Sequence, residues 1–119
     1  MNEDISHKLR EVARSGGLIT YGEVAELVGL SMGNPADRTE ISGLLDEINK
    51  HEARYKRPML SAVVVRVDTQ MPGPGFFVCA RDIGRLPTSD SIEELVFWAK
   101  EVKVVHSYWA LHTSDSSLT

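Results

Sequence analysis

Cysteine is nearly absent from this chain, and its scarcity excludes a disulfide framework. The 119 residues contain a single cysteine, Cys79, so no internal disulfide can form. A chain of this length buries roughly two-thirds of the surface that its unfolded form exposes, and it therefore needs no disulfide for stability. One cysteine is compatible with several compartments, and a reducing cytoplasm is the simplest of them.

Long hydrophobic runs are also absent. No apolar stretch approaches the roughly 20 residues of a membrane-spanning helix. The acidic start Met1–Asp4 is not followed by the apolar core of a signal peptide. We therefore predict a soluble, cytoplasmic protein that does not contact a membrane.

A recognisable catalytic or metal-binding set is missing too. No histidine lies near Cys79 in the sequence to activate its thiol, so a small buried side chain is the expected role of this cysteine. The histidines lack the spacing of zinc ligands. We predict a non-enzymatic protein without catalytic residues, metal or cofactor. The four histidines are His7, His51, His106 and His112.

Positive charge is scarce overall but concentrated in one segment. The net charge is -4, which argues against binding nucleic acid with the whole surface. Residues 50–66 carry five basic residues against one acid, a local charge of +4, so the remainder carries -8. Two interpretations remain open: a basic stripe that neutralises phosphates, or solvated side chains around a helix end. The basic residues are Lys50, Arg54, Lys56, Arg57 and Arg66.

A capped helix start is the clearest pattern that the sequence does contain. Thr20 is a good N-cap, and Glu23 three residues later completes a capping box for a helix over 21–28 that stops before Gly29. Apolar residues at helical spacing predict one helix before it, over 5–14, and another after it, from about Ala36 to Arg54. Three short helices in this order form a helix-turn-helix unit.

The middle of the chain predicts a β-hairpin. Met59–Val67 is rich in β-branched residues and is the best strand candidate. The segment Met71–Gly75, with two prolines and two glycines, reads as a turn, and Phe76–Ala80 then reads as the returning strand. This hairpin would form the wing of a winged-helix unit.

The expected fold class is therefore α+β. We predict a winged-helix-like helix-turn-helix with a β-hairpin wing and a long C-terminal helix that begins near Ser91. Residues 1–112 are expected to form a single domain, and residues 113–119 a frayed polar tail.

Two motifs in the first half carry a resemblance to a known family. Tyr21–Ala25 reads Tyr-Gly-Glu-Val-Ala, and residues 33–43 begin Gly-Asn-Pro and contain Arg38. Over roughly 17–77 the chain resembles the winged-helix DNA-binding domain of the alkylguanine alkyltransferases and alkyltransferase-like proteins. The resemblance implies that Arg38 lies where the family's arginine enters the DNA base stack and that Tyr21 lies near a phosphate.

The chain departs from this family at the catalytic motif. The family's catalytic Pro-Cys-His-Arg-Val corresponds most closely to Pro58–Val63, which contains neither cysteine nor histidine. Alkyl transfer needs an activated cysteine, so the resemblance does not extend to that reaction. The chain also resembles, over most of its length, a group of bacterial proteins with the pattern Arg-Pro-x-Leu-Ser-Ala-Val-Val-Val followed by Pro-Gly-x-Gly-Phe-Phe. No known activity can be transferred from that group.

The predicted C-terminal helix has more apolar residues than one face can hold. Phe97, Trp98 and Tyr108 fall outside its main apolar stripe. They are candidate residues of a partner interface, and packing within the chain and pairing with a second copy both remain open.

These observations support two hypotheses for function. The first is a non-enzymatic module that binds DNA through the third helix and the wing. The alternative is a protein-interaction module, an accessory or regulatory subunit that is homodimeric or binds another protein. The candidate nucleic-acid-binding residues are Tyr21, Arg38, Lys50, Arg54, Lys56, Arg57 and Arg66.

Overall fold

The structure is a computed structural model that describes residues 1–87 and 90–112. The predicted frayed tail, residues 113–119, lies outside the described residues. In chain order the elements are α1 (Glu3–Arg14), β1 (Ile19–Thr20), α2 (Tyr21–Leu27), α3 (Pro35–Arg54), a 3₁₀ helix (Leu60–Val63), β2 (Val64–Val65), α4 (Pro74–Asp82) and α5 (Ser91–Leu111).

Side-chain caps fix the helix starts close to where the sequence predicts them. The Thr20 hydroxyl accepts a hydrogen bond from the Glu23 amide at 3.2 Å, and the Glu23 carboxylate accepts one from the Thr20 amide at 3.0 Å. Asn34 caps α3 in the same way, with Pro35 in the first turn. The predicted capping box and the predicted long C-terminal helix are confirmed, because α5 has 21 residues.

The predicted strand over 59–67 is wrong for most of its length. Leu60–Val63 form a 3₁₀ helix, and only Val64–Val65 are extended. Those two residues pair in parallel with β1, in the register Ile19 to Val64 and Thr20 to Val65. The error has a physical cause: a short apolar run buried on every side looks the same whether it is a strand or a helical turn.

The predicted wing is also wrong. Phe76–Ala80 lie in α4, with Gly73 as the N-cap and Pro74 in the first turn. Proline suits that position because the missing amide would have no helical partner. Within residues 1–87 and 90–112 there is no β-hairpin, and the only sheet has two strands, β1 and β2. The predicted α+β winged-helix architecture therefore gives way to a mostly helical fold with a very small parallel sheet.

The core is built around the 3₁₀ helix. Its four residues are buried, and α1, α3 and α5 pack against it. Side chains from every helix contribute to one continuous hydrophobic cluster. This arrangement brings the start of α2, the first half of α3 and the start of α4 to one side of the molecule.

Candidate functional site

A cleft of about 820 Å³ lies where these three segments meet. This volume is typical of small-molecule sites, which are mostly apolar with a few polar groups. The apolar side chains of the cleft are Met32, Ile41, Leu45, Val67, Pro74 and Phe76. The polar and charged side chains are Tyr21, Arg38, Ser42, Asp46, Ser61, Arg66 and Asp68.

Tyr21 holds two walls of the cleft together. Its hydroxyl oxygen accepts a hydrogen bond from the Gly73 amide at 2.8 Å, across 52 positions of sequence. Burial raises the pKa of Tyr21 above its ordinary value, so the phenol is neutral at pH 7. The same bond gives a partner to the backbone amide of Gly73, the N-cap residue of α4.

A small polar network adjoins the cleft at Ser61 and Asp46. The Asn49 side chain is bonded to both the amide and the hydroxyl of Ser61. Asp46 lies one turn before Asn49, and burial raises the pKa of its carboxyl. The Cys79 thiol lies beside Asp46, and burial raises its pKa to about 11, so it stays protonated at neutral pH. The group against the Ser61 hydroxyl is the Asn49 amide, which cannot take up its proton as a general base would.

Two guanidinium groups lie at the cleft, and each is hydrogen-bonded to a neighbouring residue of the chain. Arg38 donates to the carbonyl oxygen of Met32 at 2.8 Å, which ties α3 to the loop before it. Arg66 is exposed and makes a two-pronged bond with Asp68, at 3.0 and 2.8 Å. Asp68 raises the pKa of Arg66, which therefore remains charged at any physiological pH.

The structure brings together three of the seven predicted nucleic-acid-binding residues. Tyr21, Arg38 and Arg66 all line the cleft. The remaining four, Lys50, Arg54, Lys56 and Arg57, lie in the last turns of α3 and just after it. Because α3 has 20 residues, its two ends are about 30 Å apart.

Within that second group Arg57 differs from its neighbours. Lys50, Arg54 and Lys56 are exposed, whereas Arg57 is half-buried and bonded twice to the buried carboxylate of Glu52, at 2.9 Å each. The guanidinium also lies 4.7 Å from the ring centre of Tyr55. The Arg57 guanidinium is therefore engaged by both a buried carboxylate and an aromatic ring.

The predicted interface residues of α5 all make contacts inside the chain. Phe97 lies 6.1 Å from the ring centre of Phe76, and the Trp98 indole donates to the Ala62 carbonyl oxygen at 2.9 Å. Tyr108 stacks on His112 with ring centres 3.8 Å apart. All three rings are half-buried.

Ser61, Asn49 and Asp46 were not predicted as site residues. A signal for Asn49 does exist, because it lies four residues after Leu45 and three before Glu52, on the buried stripe of α3. A polar residue on such a stripe needs a hydrogen-bond partner. For Ser61 and Asp46 we find no comparable signal.

The chain matches no profile of a known protein family, no curated protein and no solved structure. The resemblance to the alkyltransferases therefore rests on the two motifs at Tyr21–Ala25 and 33–43 alone. In the part of the chain that the structure describes, no three His, Cys, Asp or Glu side chains come close enough to hold a metal ion. Over the same residues, every helix is too short or too polar to cross a membrane.

Proposed function

We propose that this chain is a non-enzymatic, cytoplasmic DNA-binding module whose cleft receives a single nucleotide. The observation that carries the proposal is the make-up of the cleft: apolar walls from Ile41, Leu45 and Phe76 beside the guanidinium groups of Arg38 and Arg66. Apolar and aromatic walls suit the faces of a nucleobase, and guanidinium groups suit phosphate oxygens.

The energetics of such binding are reasonable for an unpaired nucleotide. Stacking of a base on aromatic side chains contributes about 1–3 kcal/mol. Extruding a base from a duplex costs a few kcal/mol, least where the base is mismatched or unpaired. The proposal therefore favours single-stranded DNA or a duplex with one unpaired base over a regular duplex.

Charge sets the expected strength of binding. Four charged groups line the cleft, Arg38 and Arg66 against Asp46 and Asp68, so the cleft itself has little net charge. The exposed Lys50, Arg54 and Lys56 beyond it are available for further phosphate contacts. Because few phosphates are neutralised, the binding constant should fall only modestly with added salt. The logarithm of the binding constant falls by about 0.9 per neutralised phosphate for each tenfold increase in salt concentration.

Reversal of the Arg38 charge tests the proposal. We expect Arg38→Glu to weaken binding of a labelled duplex with one unpaired base about tenfold, the effect of losing a charge-assisted hydrogen bond. Fluorescence anisotropy at two salt concentrations measures it. Lys8→Glu on α1 is the matched control, because it changes the net charge by the same amount at an exposed side chain that does not line the cleft. A well-folded chain without salt-sensitive DNA binding would rule the function out.

A second candidate function, self-association, is favoured by the outer face of α5. Several large apolar side chains there are exposed although the helix is long and well formed. Glu93, Val96, Lys100 and Lys103 follow one another at spacings of three and four, so they share a face. Two copies paired antiparallel along this face would bring Glu93 of one copy opposite Lys103 of the other. The exposed apolar residues are Ile92 (70%), Leu95 (46%), Val96 (47%), Val104 (49%) and Leu111 (81%).

This second function has its own expected outcome. Light scattering should give twice the 13.2 kDa mass at micromolar concentrations, and Val96→Asp should restore the monomer without loss of helix content. Glu26→Gln on α2 is a suitable control, since this side chain is exposed away from α5. A chain that stays monomeric up to about 100 μM would exclude the homodimer. A Kd of that size corresponds to only about 5.5 kcal/mol of binding free energy.

A further inference from the structure

The orientation of the Asn49 amide is determined by its contacts. The Ser61 backbone N–H can only donate, and it lies 3.1 Å from Oδ1 of Asn49. That bond assigns the oxygen to this side of the amide and leaves Nδ2 facing the Ser61 hydroxyl, 2.7 Å from Oγ. Asn49 therefore donates to Ser61 Oγ, and both residues are at least 95% buried.

This arrangement leaves one proton without a partner. Because the Ser61 oxygen accepts from Asn49, its own hydrogen must point away from Asn49. Within residues 1–87 and 90–112 the Ser61 hydroxyl makes no hydrogen bond other than the one that it accepts from Asn49, and Ser61 forms part of the lining of the cleft. A buried O–H group that donates to nothing is unfavourable, so the cleft favours any ligand that can accept this proton.

We infer that Ser61 is the specificity-determining donor of the cleft, that Asn49 is its positioning residue, and that the bound group presents a carbonyl oxygen or an unprotonated ring nitrogen to Ser61 Oγ. The inference rests on the proposed function and specifies its ligand: a nucleobase with an exposed acceptor edge. A ligand with a donor at that point would leave the Ser61 proton unpaired. A ligand with only carbon there would do the same.

The alternative role for Ser61, a nucleophile, fits the geometry less well. A nucleophilic serine needs a base that accepts its proton. Here the group against Oγ is the Nδ2 donor of Asn49, which uses an oxygen lone pair and takes no proton. The hydroxyl is thus prepared to donate to a ligand.

Two probes of the same shape, one with and one without strong hydrogen-bonding groups on the base, test the inference. The first is a duplex with one thymine opposite an abasic site; in the second, difluorotoluene replaces that thymine, keeping its shape but lacking strong acceptors. We expect the wild-type chain to prefer the thymine probe about 2- to 10-fold, the value of one neutral hydrogen bond. Ser61→Ala should bind both probes equally. A merely structural role would lower both affinities together and leave their ratio unchanged.

Asn49→Asp tests the positioning role separately. At a pH where it is ionised, a carboxylate at this position accepts the Ser61 proton itself, so the hydroxyl turns away from the cleft and the preference should disappear although the serine is still present. Circular dichroism checks that each variant is folded, and Ser61→Ala decides the matter alone where Asn49→Asp does not fold. A preference that persists in Ser61→Ala overturns the inference and leaves the proposed function standing. A wild-type chain that binds neither probe overturns the proposed function, and the inference with it.

Discussion

Replacement of Arg57 by alanine is expected to lower the free energy of unfolding by about 3 kcal/mol. The reason lies in Glu52, which is 1% exposed and takes two hydrogen bonds from this guanidinium. Without Arg57 the carboxylate remains buried with no opposite charge beside it, and that state is far more costly than the pair is favourable. Urea unfolding followed by tryptophan fluorescence measures the loss.

Two further variants separate charge pairing from general surface effects. Arg54→Ala, three residues earlier and exposed, should change the stability by no more than about 0.5 kcal/mol. The double variant Glu52→Leu with Arg57→Ala should recover more than half of the loss, because it removes the unpaired carboxylate as well. Equal losses for Arg54→Ala and Arg57→Ala would contradict the structural role of Arg57.

The basic segment shows what a charge pattern does and does not reveal. The sequence places Lys50, Arg54, Lys56, Arg57 and Arg66 close together, and the structure gives them three different environments. Arg57 pairs with a buried acid, Arg66 lies at the cleft, and the others are exposed. A buried acid on the apolar stripe of α3 requires a cation, and that requirement selects Arg57 from the five.

The starts of α2 and α3 were predictable because their causes are local. Thr20 with Glu23, and Asn34 with Pro35, act within a few residues, so the sequence alone contains the whole signal. The cleft has no such local cause. Its walls come from segments near residues 21, 41, 66 and 74, which meet only after the core has formed.

The sheet and α4 were not predicted, because the local sequence does not determine either of them. β1 and β2 are separated by more than 40 positions, and a two-residue parallel pair leaves no period in the sequence. The segment after Gly73 has the opposite problem, since its pattern fits both a strand and a helix. Apolar residues at 76, 77, 79 and 80 suit a buried strand, and they equally suit the inner face of a helix.

A helix and a strand over this segment expose different side chains to solvent, so substitutions at neighbouring positions distinguish the two by experiment. In a strand, Phe76, Val78 and Ala80 share one face and Phe77 and Cys79 the other. In the observed helix both phenylalanines are buried, at 5% and 6% exposure, and Val78 is 49% exposed. Phe77→Ala is therefore expected to cost about 3–5 kcal/mol of unfolding free energy, which is the usual effect of removing a buried aromatic ring.

Val78→Ala is the matched control, and its effect on stability decides between the helix and the strand. In the helix this substitution removes little buried surface and adds a better helix former, so the stability should change by no more than about 0.5 kcal/mol. In a two-sided buried strand it would instead open a cavity and cost about 1–3 kcal/mol more. Urea unfolding of both variants gives the comparison. A large loss for Val78→Ala beside a small one for Phe77→Ala would contradict α4, and with it the wall of the cleft that Phe76 provides.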